Sequence, residues 1–145
     1  MAAPYGSLPY RHVLTLPAMP SALRMTRETT EQVLAEWGIS LRHPAVGAAL
    51  LILDELVTNS VRHAAALSPN LTVIYAADRD TFAFAVHDRH PHRPSLGTVS
   101  AGPVGNGLAT VMEVTLGLGG SAVVREDGDG GGKSIWITLP LETPT

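Results

Sequence analysis

The chain has 145 residues, 45% hydrophobic and 16% charged, enough for one domain with a single core and too few for two. Its 13 acidic residues outnumber 10 basic ones, and the net charge of -3 lacks the electrostatic footprint of a nucleic-acid binder. There is no cysteine, which excludes disulfides, thiolate nucleophiles and cysteine-based zinc sites and fits a cytoplasmic protein.

Residues 1–10 carry Pro4, Gly6 and Pro9 with little periodicity and read as a flexible tail, leaving 11–145 as one domain. No basic stretch followed by an apolar one opens the chain, so no signal peptide is expected. The longest unbroken apolar run, Ala45 to Leu53, is about half of the ~20 residues a membrane span needs, so no membrane partner is expected. His12 to Leu16 alternates and stops at Pro17, which suits an edge strand. Ser21 is placed to cap a helix reaching about Trp37, with Leu23, Thr30, Leu34 and Trp37 at helical spacing and Gly38 as the stop. Ser40 to Pro44 is a connector. The strongest helical signal runs from Ala45 to about Ala66.

Two β-rich runs, Leu71 to Ala76 and Phe82 to Val86, flank Asp78-Arg79-Asp80 and predict a hairpin. Arg89 to Gly105 holds three prolines and three glycines without apolar period, a length that suits a functional lid. Gly107 to Gly117 is a third helix, and Ser121 to Arg125 and Ser134 to Leu139 are the last strands. This order predicts an α+β two-layer sandwich, a mixed, largely antiparallel sheet with its helices packed on one face.

On the helix from Ala45, residues Leu53, Leu56, Val57, Val61 and Ala64 fall on one wide apolar arc at 100° per residue, and Glu55, Asn59, Arg62 and His63 fall on another. An ordinary solvated face would use lysine or glutamine where Asn59 stands, because asparagine is a mediocre helix former. A carboxylate and an amide one turn apart suit a hard cation such as Mg²⁺ that shares its remaining ligands with water and phosphate.

These residues, Glu55-Leu56-Val57-Thr58-Asn59-Ser60-Val61-Arg62-His63-Ala64, resemble the N box of the GHKL (Bergerat-fold) ATP-binding domains, in the variant typical of anti-sigma-factor serine/threonine kinases. The resemblance extends over roughly His12 to Leu141. It implies that Asn59 binds Mg²⁺, that Glu55 is the general base, and that His63 or Arg62 reaches the phosphates. The family's D-x-G aspartate, which accepts a hydrogen bond from the adenine amino group, would be Asp88, with His90 in place of the glycine. The glycine pair that closes over phosphate at a helix N-terminus is matched by Gly105 and Gly107, followed by Leu108, where small residues and free N–H groups favour an anion. Ser134, on the last strand, would support Asp88. Implied in turn are ATP and Mg²⁺ as cofactors, phosphorylation of an anti-sigma-factor antagonist, a sigma factor as a further partner, and the dimerisation common in the family. The alternative is a nucleotide-gated protein-binding module without phosphotransfer.

Other signals read more plainly. Of 14 glycines, 11 lie between Gly97 and Gly132, and the single lysine, Lys133, follows the densest cluster. Asp127 to Ser134 nearly matches a P-loop, yet the β-branched Ser134-Ile135-Trp136-Ile137-Thr138-Leu139 that follows cannot open a helix, so the cluster reads as a hairpin turn. His87, His90 and His92 lie among prolines at a spacing that fixes no metal geometry. No G-x-S-x-G elbow anchors a hydrolase triad, and Trp37 and Trp136 read as packing residues.

Overall fold

The computed structural model describes residues 8–64, 68–90 and 106–141. Its elements are β1 (Tyr10–Pro17), α1 (Ser21–Glu36), α2 (Pro44–Ala64), β2 (Asn70–Ala77), β3 (Thr81–Asp88), α3 (Asn106–Gly117), β4 (Ser121–Glu126) and β5 (Lys133–Pro140). The strands form one sheet in the order β1-β2-β3-β5-β4, with every pairing antiparallel. A mixed, largely antiparallel sheet was expected; β3 and β4, on either side of α3, run the same way and would supply a parallel pair if they were adjacent. They are not neighbours: β5 turns back and lies between them, replacing one parallel pair by two antiparallel ones.

Alternation sorts the strands into two faces. Leu71, Val73, Tyr75 and Ala77 of β2, Phe82, Phe84 and Val86 of β3, and Ile135, Ile137 and Leu139 of β5 are buried together with Val33 and Leu34 of α1 and Ile52, Leu53, Leu56 and Val57 of α2. All of these lie on the side the helices cover. By length and composition Pro44–His63 is apolar enough to cross a membrane, and the burial of its apolar arc in this core accounts for that composition. On the other face a smaller cluster sets Ala76 and Ala83 under Leu8 and Trp136.

The ends of the helices differ in part from expectation. Ser21 is the first helical residue of α1, not its cap; the cap position is Pro20, with no side-chain cap bond, and backbone bonds from Ala22 to Met19 and from Leu23 to Pro20 close the start. Gly38 ends the helix with φ +75°, where a side chain would be strained. At the start of α2, His43 Nδ1 accepts from the Ala45 N–H (3.0 Å) while Nε2 donates to the Leu141 carbonyl (2.9 Å), so one neutral imidazole caps the helix and ties down the chain after β5. Strand β1 starts at Tyr10, before the expected His12, because Tyr10 and Arg11 pair with Ala77 and Ala76.

Two polar side chains of this core, Thr30 and Tyr75, are joined to each other. Thr30 Oγ1 donates to the Thr26 carbonyl (2.7 Å) and shares a hydrogen bond with the Tyr75 hydroxyl (2.7 Å). Burial pushes the Tyr75 hydroxyl from 10.0 up to about 12, the Thr30 hydrogen bond opposing it. A raised pKa means stability that is complete below pH 10 and is lost as pH climbs towards 12. Tyr75→Phe is expected to lower the urea unfolding free energy by about 1 kcal/mol at neutral pH and to flatten the alkaline loss of stability, measured by denaturation across that pH range.

Candidate functional site

The helical period of α2 presents Glu55 and Asn59 half-buried, one turn apart, and neither side chain has a hydrogen-bond partner among the described residues. Arg62 and His63 sit exposed at the end of the helix. Ser60 is different: it lies on the inner arc after Leu53, Leu56 and Val57 and is 5% exposed. Its hydroxyl leaves the helix and donates to Asp88 Oδ2 at 2.7 Å.

Asp88 ends β3 on the inward register after Phe82, Phe84 and Val86 and is 3% exposed. A carboxylate this deep is tolerated only when paired and hydrogen-bonded. Beside the Ser60 bond, Oδ1 accepts from Lys133 Nζ at 2.7 Å and from the His90 N–H at 3.0 Å. Position 90 therefore works through its backbone, and no described residue other than glycine has positive φ, so the histidine that replaces a glycine here imposes no strain. Ser68 Oγ accepts from the Arg89 N–H (2.9 Å), which fixes the chain just past the carboxylate.

Ser134 does not support Asp88. Lys133 is paired with Asp88 and Ser134 with His87, so alternation turns Lys133, 5% exposed, to the helix side and Ser134 to the other. The cluster of glycines is accordingly more than a turn. A Cβ on Gly132 would stand 2.6 Å from the Asp88 carbonyl oxygen and 3.1 Å from the Arg89 Cα, so only glycine lets the start of β5 come close enough to bring Lys133 onto Asp88.

A second set of charges holds that turn. His87 Nε2 lies 2.9 Å from Asp127 Oδ2, and Arg89 bridges Asp127 and Asp129. Burial works against the Asp127 carboxylate, but hydrogen bonds from His87 and Arg89 outweigh it and hold its pKa below the ordinary value. Asp129 is lowered by Arg89 and by the Gly131 N–H, and the Arg89 guanidinium is raised in return. Of the glycine motif, Gly107 lies in the first turn of α3 and Leu108 packs half-buried against the core, while Gly105 and lid residues 91–104 lie outside the described residues.

Fold and site define an ATPase-like α+β domain. Residues 16–137 match the family model described as the histidine kinase-like ATPase domain, and the chain belongs to that family, which supports an ATP-binding role. Its fold is similar to the RsbU and RsbW domains of Rv1364c from Mycobacterium tuberculosis, at 21% identity and a TM-score of 0.67, covering 93% of this chain and 33% of that one. The chain thus spans about a third of the mycobacterial structure's length. It is similar also to the Acinetobacter baumannii histidine kinase AdeS, at 14% identity and a TM-score of 0.55, covering 91% of this chain and 68% of that chain. No curated protein matches it in sequence.

Two residues of the site, Ser60 and Lys133, had a readable signal that the motifs obscured. Each is a polar residue at an inward position, Ser60 on the apolar arc of α2 and Lys133 at the inward period of Ile135, Ile137 and Leu139. Gly132→Ala is expected to cost about 1–3 kcal/mol in chemical denaturation, as overpacking against backbone does, while Gly128→Ala, which meets nothing within 4 Å, stays near wild type.

Proposed function

We propose that the chain binds Mg-ATP and phosphorylates a serine or threonine hydroxyl on an anti-sigma-factor antagonist protein. The observation that carries this reading is the Ser60–Asp88 hydrogen bond, which ties the helix of Glu55 and Asn59 to the one buried carboxylate at the end of β3. Two motifs far apart in sequence, the polar stripe of α2 and the strand-end carboxylate, are thereby joined.

Asp88 accepts from the adenine amino group. Gly105, Gly107 and Leu108 bring backbone N–H groups to the phosphates, and His63 reaches them from the end of α2. Glu55 and Asn59 fit a hard cation as a donor set, being oxygen-bearing, half-buried and without other partners among the described residues. Asn59 would hold Mg²⁺, which would supply charge neutralisation at the triphosphate. Glu55 takes the proton of the acceptor hydroxyl as its oxygen bonds to the γ-phosphorus, and the bond from that phosphorus to the bridging oxygen of ADP breaks.

Incubation with γ-labelled ATP, Mg²⁺ and candidate antagonist proteins tests the whole reading. The label should move to a serine or threonine of the antagonist. Binding of nucleotide and antagonist with no transfer would establish a nucleotide-gated binding module in its place. Glu55→Ala is expected to keep nucleotide affinity and lose transfer by about 100-fold or more, and unchanged transfer would remove the base from Glu55. Asn59→Ala should lose the Mg²⁺-dependent part of ATP affinity in calorimetry.

A further inference from the structure

The carboxylate assigned to adenine is nearly full before any base arrives. Oδ1 of Asp88 accepts twice, from Lys133 Nζ (2.7 Å) and the His90 N–H (3.0 Å), and Oδ2 accepts from Ser60 Oγ (2.7 Å). A carboxylate offers about four lone-pair sites. One remains among the described residues, on Oδ2.

The group beside it has the opposite surplus. An ammonium carries three N–H donors. One goes to Asp88 and a second reaches the His90 carbonyl at 3.4 Å, a long contact. The third has no partner among the described residues, although Lys133 is only 5% exposed. Burying an ammonium costs far more than burying a hydroxyl, and a hydroxyl would have sufficed to support Asp88. What the ammonium adds is a spare donor next to a spare acceptor. Adenine presents the complement of that pair along one edge, an amino group followed by the ring nitrogen N1.

We propose that Lys133 is a second base-reading residue, donating its third N–H to N1 of adenine while the remaining lone pair of Asp88 accepts from the amino group. The proposal rests on the reading of this site as an adenine pocket. Lys133 then has two tasks: it orients the Asp88 carboxylate, and it contacts the base. The first task alone would leave affinity indifferent to N1.

The test is equilibrium binding of the Mg²⁺ salts of ATP and of 1-deaza-ATP, in which a C–H replaces N1, to the full chain by calorimetry. Wild type is expected to bind 1-deaza-ATP about tenfold or more weakly than ATP, the range for a hydrogen bond to a charged group. Lys133→Met, checked for folding by circular dichroism, is expected to bind the two nucleotides alike. Equal affinity of wild type for both overturns the proposal, and this arm needs no variant that could fail to fold. A folded Lys133→Met that still discriminates between them overturns it too. Wild type that binds no ATP at all overturns the adenine reading and the role of Lys133 with it, whereas tight ATP binding that ignores N1 removes only the latter.

Discussion

A buried ion pair between strands β3 and β5 is the constraint around which this molecule is arranged. Lys133 and Asp88 are both at most 5% exposed, and charges taken so far from water are tolerated only with good geometry and with their remaining donors and acceptors used. Each neighbouring feature meets one part of that requirement. Register places the two residues opposite each other, Gly132 allows the backbones to approach, and Ser60 and the His90 N–H add two further hydrogen bonds to the carboxylate. Removing either partner alone would leave an uncompensated charge in the interior, a change of about 3–5 kcal/mol.

The Asp127–Arg89–His87 network stands outside this pair but acts on it. It anchors the turn between β4 and β5 to the residues on either side of Asp88. Because Asp127 is ionised below the ordinary carboxylate range, its share of that anchoring is present at neutral pH and is lost only as pH falls through the lowered value. The turn is thus held by charge at its surface and by close packing at Gly132 beneath.

Much of the fold was legible because it rests on periodicity. All eight elements appear within a few residues of where alternation and helical spacing put them, since one apolar face per element leaves few choices. The misreadings have local causes. Ser21 carries a capping side chain but already lies inside the helix. The position of β5 between β3 and β4, by contrast, is a tertiary fact that no local pattern encodes. In the site, the stripe of Glu55 and Asn59 was legible from residue type and spacing, and Asp88 only through the resemblance to a family motif. Their junction was not, because it runs through Ser60 and Lys133, which read locally as a helix filler and a turn residue. Only the inward period of each element separates them from their half-buried neighbours, Asn59 and Ser134.

The placement of β5 between β3 and β4 bears on the order in which the molecule assembles. Asp88 and Lys133 are 45 residues apart, so they meet only after α3, β4 and the glycine turn have been laid down and a long loop has been closed. Until then the Asp88 carboxylate keeps its water, because no cation is near enough to replace it. Contacts of such long range form slowly. Strand β5 is therefore among the last pieces to dock, and the event that joins it to β3 is the same one that brings Lys133 onto Asp88.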